Sequence, residues 1–453
     1  MLHDNPLGVW TAEHFERRIL RDRLPFLRAV VVSDPPAIER VLLDNSANYR
    51  KDDLLIRILS PALRNGLLTV DGDQWRRQRR AVAPMFSRRA IANYARPMKA
   101  AVDDLVGRWR TRPDGSQVDV AQEATDATLD VLQRTIFSNG IGGSTREFRE
   151  QMRTYFDAIG RIDPFDVLGL PPFVPRWTKW HARPAMRFFD DAVRRLSAER
   201  QKLLCEDPES CPSDILTLLL GAHDPETGQS LSEEEVRANV VTLIAAGHET
   251  TANALTWAMF LLSRDETWQS RIAAEGITVF GTREFDPERL VDTRAVLEEA
   301  LRLYPPIAAL SRVAIADDEL AGEAVEAGTM VIVSPYVVHR HRRLWERPDE
   351  FDPDRFAGAN REHVHRYAYL PFGAGPRICL GAAFALQEAS ILLAGIVAQF
   401  RLALPPAFEP EPLLRITLRP RGGLPMIIRR REAASATPSL RDAEQPERIR
   451  MAS

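Results

Sequence analysis

The chain has few cysteines and no excess of charge of either sign, and long apolar runs are missing. Cysteine occurs three times in 453 residues, at Cys205, Cys211 and Cys379. So small and odd a number implies no disulfide framework. Cys205 and Cys211 flank a polar loop, Glu206–Ser210, and are expected to stay unpaired in a cytosolic protein. The formal net charge is −3, too near balance for general nucleic-acid binding. No stretch reaches the ~18 consecutive apolar residues of a membrane span. The longest apolar runs, Val240–Gly247 and Ile391–Ala398, have the length of core-helix segments. The first residues, Met1 through Arg18, carry acids and a proline where a signal peptide would need an apolar run. A cytoplasmic protein without a membrane anchor is therefore expected. Internal repeats are also lacking.

Helical periodicity dominates what remains. Ser87–Trp109, Val118–Phe137, Pro184–Leu204 and Ser232–Ser263 space their apolar residues by three and four. Strand signals are short and few: Leu27–Val32, Thr329–Val333, and Leu413–Arg431 around a Gly422-Gly423 turn. These patterns predict a mainly α protein, a large helical body with a small β-sheet-rich region built from both ends of the chain. Residues 1–431 are expected to form one domain, and 432–453, rich in Ala, Ser, Pro and charge, a disordered tail. An apolar connector broken by prolines, Asp163–Trp177, reads equally as a packed crossing or a mobile lid.

The strongest constellation is Pro371-Phe-Gly-Ala-Gly-Pro-Arg-Ile-Cys-Leu-Gly381, followed by an apolar helix from about Ala382 to Phe400. Gly373 and Gly375 permit turns that a Cβ would obstruct, and Gly381 allows close approach to a flat ligand. The helix beyond Cys379 turns its free N–H groups and positive dipole end toward the sulfur, which is expected to favour thiolate over thiol. With no second Cys or His at finger-like spacing, that thiolate suits haem iron better than zinc. Arg377 is placed to pair with a haem propionate. The bland alternative is a glycine-rich turn around an inert buried cysteine.

A second constellation lies inside a predicted helix. Ser232-Glu-Glu-Glu235 is a capping box, and the helix it starts contains Ala246-Gly-His-Glu-Thr-Thr251. Glycine and paired threonines are unfavourable inside a buried helix. A bond from the Thr250 hydroxyl to the Ala246 carbonyl is expected to help open the helical ladder, making room for dioxygen and water. An acid beside a hydroxyl can then relay protons. A simple helix kink is the alternative, and His248 reads as a core or surface histidine turned away from the site.

The cysteine segment resembles the haem-binding loop of the cytochrome P450 family, and the likeness runs from about Phe26 to Arg430 through further segments in the same order. The resemblance implies the cytochrome P450 fold and haem b (iron protoporphyrin IX) on Cys379. It makes Glu249 and Thr250 the acid and alcohol of the proton-delivery pair, and sets Ala246 and Gly247 against the haem. Some relatives esterify a glutamate to the haem at the position of Ala246, and alanine rules that bond out here. Trp75 and Arg79, one helical turn apart, and Arg312 match propionate donors. Pro371, Phe372, Gly373, Arg377 and Gly381 complete the cofactor loop. Glu299 and Arg302 before Tyr304-Pro305-Pro306 are expected to join Arg355 of Phe351–Phe356 in a buried scaffold network. Arg76, Arg77 and Arg80 read as a solvated basic stripe that could dock an acidic electron-transfer protein. One departure stands out: after His339-Arg340 the family often has Asp-Pro, whereas this chain has His341-Arg342-Arg343, so a different local loop geometry is expected. His339, His341, His363 and His365 suggest a metal cluster only superficially.

Together these readings predict a soluble haem-thiolate monooxygenase that inserts one atom of O2 into a hydrophobic substrate, bulky and terpenoid, steroid or fatty-acid-like. Leu54–Leu68, the Asp163–Trp177 connector and Ile307–Leu310 are expected to line its pocket, Ala308 and Ala309 leaving space. Arg57 reads as a surface arginine, its other use being to anchor a substrate carboxylate. With no room for a fused reductase after the cysteine helix, electrons are expected from a ferredoxin or flavodoxin with its NAD(P)H-dependent reductase. The rival readings are a haem-thiolate peroxygenase or isomerase, which needs no proton relay, and a non-catalytic haem sensor or carrier.

Overall fold

A computed structural model describes residues 5–24, 27–138, 151, 154 and 183–431. The Asp163–Trp177 connector and the 432–453 tail lie outside the described residues. Predicted helix ends agree with observed ones because capping residues mark them. Ser87 opens Arg88–Arg110 by accepting the Ala90 N–H, and Asp119 opens Val120–Ile136 by accepting from Ala121 and Gln122. The Ser232–Glu235 capping box forms in both directions, at 3.2 and 3.0 Å, and starts the longest helix, Glu233–Leu262.

That long helix is the axis of the fold. Val120–Ile136, Arg183–Glu206, Val291–Leu303 and the cysteine helix Ala382–Gln399 all pack against it. Its second half, from Thr251 to Leu262, is buried on every side, so the pattern there carries no amphipathic stripe. Burying each Leu, Ile or Val of this core contributes roughly 1.5–3 kcal/mol. The cysteine helix is long and apolar enough to cross a membrane by composition. Its Ser390–Ala398 stretch is instead buried against Arg88–Arg110 and Glu266–Gly281, as a core helix.

The β structure is small beside the helical body, as expected, and falls into separate sheets among the described residues. A five-stranded sheet runs in the order Ile19–Leu24, Leu27–Val32, Met330–Val333, Leu310–Ala314, Tyr49–Lys51. Leu27–Val32 joins Met330–Val333 in parallel, so this sheet ties the start of the chain to its last third. A separate three-stranded sheet combines Gln117–Asp119, Pro425–Arg430 and Phe400–Ala403. The Gly422-Gly423 segment enters Pro425–Arg430, and two small hairpins stand apart.

A buried ionic network locks the helix Val291–Leu303 to the segment before the cysteine loop. Arg302 and Glu299 are both fully buried and pair through two hydrogen bonds of 2.7 Å. The remaining Arg302 donors reach the carbonyls of His339 at 2.9 Å, Pro348 at 2.6 Å and Glu350 at 2.8 Å. All the N–H donors of a guanidinium are thereby used. Glu299 also accepts the Asp352 N–H at 2.9 Å and faces Arg355 at 3.6 Å. A charge so deep is tolerated only while every bond is made. Glu299→Ala leaves Arg302 buried without its counter-charge and is expected to cost about 3–5 kcal/mol, read as a lower urea midpoint. A loss below about 1 kcal/mol would contradict this account of the network.

Candidate active site

The cysteine loop is shaped from its backbone outward. Gly373 and Gly375 both take φ of +70°. A Cβ on Gly375 would lie 1.7 Å from the Leu42 carbonyl oxygen, so glycine alone lets the loop rest on the Arg40–Asp44 turn. The Gly373 N–H bonds Leu370 O at 3.1 Å and the Cys379 N–H bonds Phe372 O at 2.9 Å, closing the turn that presents the sulfur. Cys379 is exposed in an otherwise closely packed setting, as expected of a side chain facing an internal cleft. Burial pushes its thiol up, while the Gly381 N–H and the Arg79 guanidinium pull it down. The net direction corrects the expectation of a free thiol already lowered: the donors are present, but desolvation outweighs them. A bound metal would remove the proton outright.

Beside the loop, cations gather without enough anions. Lys51 and Arg312 stand directly opposite each other on antiparallel strands, a like-charge pairing that is unfavourable in a sheet. Burial and then the Arg377 charge lower both, Lys51 to about 7 and Arg312 to about 10. Lys51 Nζ donates to the carbonyls of Leu68 at 2.6 Å and Val70 at 3.1 Å. Arg377 lies over the Trp75 ring at 4.1 Å and pairs with Asp71, while its Nη1 is buried without a partner. Arg79 sends a bond to the Ile378 carbonyl at 2.8 Å, and burial lowers it. Trp75, Arg79, Arg312 and Arg377 are thus brought to one place, as the sequence suggested, with Arg377 rather than Arg79 stacked closest on Trp75. Lys51 was missed because its signal is the position opposite Arg312, which no local pattern carries.

On the long helix, Thr250 donates to the Ala246 carbonyl at 2.6 Å, as expected. The helix nevertheless continues unbroken through this motif, so the hydroxyl bond adds to the ladder without opening it. Ala246 is exposed in the middle of this helix, like Cys379 on its loop. Gly247 faces elsewhere: a Cβ there would meet Leu132 at 3.3 Å, so this glycine serves packing against Val120–Ile136. Glu249 accepts from the Thr417 hydroxyl at 2.7 Å and lies 3.5 Å from Arg419. His248 turns into the core toward Thr125, and burial lowers it to about 4.

Several sequence-level candidates resolve differently. The basic stripe is neutralised from within: Arg76 pairs with Asp73, Arg77 with Glu235, and Arg80 with Asp224 and Glu226. It offers far less free charge than a docking face would need. Among the described residues no His, Cys, Asp and Glu cluster could hold a metal ion. His341 replaces the missing Asp by side-chain chemistry, accepting the Arg343 N–H at 3.3 Å and bonding the Arg17 carbonyl at 3.2 Å. Ala308 is buried, its carbonyl held by Ser334 at 2.7 Å, so Ala309 alone of the pair is exposed. Arg57 is half-buried rather than on the surface. Leu67 is tied to Asn239 of the long helix at 3.0 Å, and Gly66 presses on Thr242, which fixes the Leu54–Leu68 segment over that helix.

Comparison with known proteins gives a consistent picture. Residues 13–424 match the family model described as Cytochrome P450. The chain is similar to a protein named cyclooctatin synthase from Streptomyces melanosporofaciens, 34% identical over 87% of this chain and 85% of the relative. It is similar to pentalenene oxygenase of Streptomyces avermitilis, 31% identical over 84% of both chains. Putative cytochrome P450 132 of Mycobacterium tuberculosis is 32% identical over 91% of this chain and 90% of its own.

His339, discounted in the sequence, braces the loop. Its Nε2 accepts the Leu370 N–H at 2.7 Å, so Nδ1 carries the proton and donates to the Arg302 carbonyl at 3.2 Å. Burial, then the Arg302 charge, lowers His339 to about 3. Protonation would destroy the Nε2 acceptor. Because the unfolded imidazole titrates near ~6.5, its stabilising effect is complete above that pH and is lost as pH falls toward the folded value. Urea midpoints are expected to fall between neutral pH and pH of about 4, and His339→Gln to flatten that slope by on the order of 1 kcal/mol per pH unit. An unchanged slope in the variant would sink this assignment.

Proposed function

The chain belongs to the cytochrome P450 family and is a haem-thiolate monooxygenase, and we propose that Cys379 holds its iron and that its substrate is a bulky, apolar, polycyclic hydrocarbon skeleton. Haem, when bound, supplies the oxygen-activating chemistry. The residues present fit that group. A site with Lys51 buried and Arg312 and Arg377 half-buried near one another, Asp71 their neighbouring acid, and an Arg377 nitrogen without a partner among the described residues is incomplete without anions, and a haem carries two propionates. This unbalanced charge beside a presented sulfur is the observation that carries the reading.

In this reading Lys51, Trp75, Arg79, Arg312 and Arg377 hold the propionates, and Pro371, Phe372, Gly373 and Gly381 shape the sulfur side. Ala246 leaves the opposite side open. Thr250, its hydrogen committed to Ala246, keeps oxygen lone pairs turned to the cleft and accepts hydrogen bonds there. Glu249, held by Thr417 and Arg419, keeps an acid next to that hydroxyl. An acid–alcohol pair serves proton delivery and is of no use to a peroxygenase or to a passive haem carrier.

The substrate class is supported by the exposed Leu55, Leu68 and Ala309 on elements around the long helix, and by relatives whose names give pentalenene and cyclooctat-9-en-7-ol as what they oxygenate. Electrons come, in this proposal, from a separate ferredoxin or flavodoxin and its NAD(P)H-dependent reductase.

Reduced under carbon monoxide, the native protein is expected to give the red-shifted Soret band of a thiolate-ligated ferrous carbonyl, and Cys379→His to lose it. In difference spectroscopy, apolar polycyclic compounds should shift the resting Soret band and small charged ones should not; the reverse pattern refutes the substrate class. Thr250→Ala should keep the carbonyl band yet divert a several-fold larger share of electrons to hydrogen peroxide.

A further inference from the structure

A small hairpin, Asp318–Leu320 with Glu323–Val325, carries a carboxylate that nothing above uses. The Asp318 side chain is 3% exposed. Its Oδ1 accepts from Arg40 Nε at 2.9 Å, from Arg40 Nη2 at 2.6 Å and from the Glu319 N–H at 2.8 Å. Its Oδ2 accepts from Asn45 Nδ2 at 2.9 Å and from the Tyr49 hydroxyl at 2.7 Å. Burial pushes this carboxyl up, but the bonds from Arg40, Tyr49, Glu319 and Asn45 together outweigh burial and hold it at about 2. An apolar residue would serve to pack a hairpin. An ionised group that gathers donors from three other places in the chain serves as a clasp, because charge-assisted bonds are short, strong and directional.

What it clasps bears on the sulfur. Arg40 opens the Arg40–Asp44 turn, and Asn45 closes it with an N–H bond to the Arg40 carbonyl at 2.8 Å. One carboxylate therefore grips both ends of the turn. Between them stands Leu42, whose carbonyl oxygen is the atom on which Gly375 rests. The Gly375 carbonyl in turn accepts the Ile378 N–H at 3.0 Å, one residue before Cys379. Asn48 ties the same stretch a second time, its side chain accepting the Ala316 N–H at 2.8 Å and donating to the Ala316 carbonyl at 3.0 Å. Leu42, Tyr49, Leu320, Leu370 and Ala374 share one apolar cluster, so hairpin, turn and cysteine loop are packed as one body.

We infer that Asp318 is a positioning residue for the iron ligand: by fixing the Arg40–Asp44 turn it sets where the Leu42 carbonyl meets Gly375, and so where the Cys379 sulfur stands. This rests on the reading that Cys379 holds haem iron. Asp318 acts through backbone contacts, and no bond is exchanged and no proton moves at its carboxylate. The meeting of a carbonyl with a glycine Cα has no side chain to absorb a shift by rotating. Close packing then passes a displacement of the turn on to the loop. Released from the clasp, the turn lets Gly375 settle, the Ile378 bond lengthens, and the sulfur loses the fixed place that favours thiolate over thiol.

The test compares haem-loaded wild type with Asp318→Asn, which keeps the size of the side chain and removes its charge. Three signals are read: the iron–sulfur stretch by resonance Raman, the ferrous-carbonyl spectrum, and hydrogen exchange in peptides covering Gly375–Cys379. In Asp318→Asn the stretch should fall in frequency. The share of carbonyl complex absorbing as the blue-shifted form that has lost thiolate should rise several-fold, and exchange should quicken several-fold. Arg40→Gln and Tyr49→Phe each remove part of the clasp and should give smaller changes in the same direction, so the outcome does not hang on Asp318→Asn folding. Glu323→Gln breaks the Arg21–Glu323 pair of the same hairpin and should leave all three signals where they were. A lower urea midpoint in Asp318→Asn with an unmoved stretch and carbonyl spectrum shows a purely structural role and overturns the proposal, as do equal changes in Glu323→Gln. A wild type without the thiolate carbonyl band overturns the proposal together with the reading of Cys379. A wild type with that band and clasp variants identical to it overturns the proposal alone.

Discussion

An anionic sulfur taken out of water is the constraint that organises this protein. At Cys379, desolvation works against the thiolate more strongly than the Gly381 N–H and Arg79 work for it. In the proposed assignment a bound metal would supply the remainder, and the polypeptide would hold the sulfur still. Each support found around the loop answers that need. The Gly375 contact with Leu42 fixes the loop from below, His339 fixes Leu370 just before it, and the Glu299–Arg302 network fixes His339. A strained or mobile loop would trade thiolate for thiol, so rigidity here is an electrostatic requirement as much as a structural one.

Charge is sorted by depth in a consistent way. On the surface of the Gly72–Val82 helix, arginines are matched by acids brought from elsewhere in the chain, Asp224 and Glu235 among them. One turn away on the same helix, around Trp75 and Arg79, matching stops. Lys51 is buried and Arg312 and Arg377 are half-buried, with Asp71 as their neighbouring acid, and the cost of their mutual repulsion is carried by the folded protein. Protein interiors keep such imbalances where a ligand corrects them, and the same logic separates this cradle from the silent histidines elsewhere.

Local signals were legible from sequence and pairings across the chain were not. Ser232–Glu235 announced the long helix because a capping box is complete within four residues. Leu27–Val32 was readable because β-branched residues cluster there, while Ile19–Leu24, rich in arginine, gave no strand signal and forms only as the partner of that strand. The cysteine loop was legible as a motif, yet the direction of the Cys379 proton affinity depends on packing density that spacing does not encode. Lys51 gained its meaning from a neighbour 261 positions away, and Arg77 lost its meaning to Glu235 in the same manner.

The parallel pairing of Leu27–Val32 with Met330–Val333 also sets an order of events during synthesis. The strand that emerges early has no parallel neighbour until some three hundred residues later, and the Arg40–Asp44 turn waits longer still for the loop that rests on it. Contacts so distant in sequence form late, after the cost of closing a very long loop has been met. No nascent fragment ending before Arg377 can therefore contain the whole cradle. The cradle is thus assembled from both ends of the fold at once, and its earliest residues wait for partners made more than three hundred positions later.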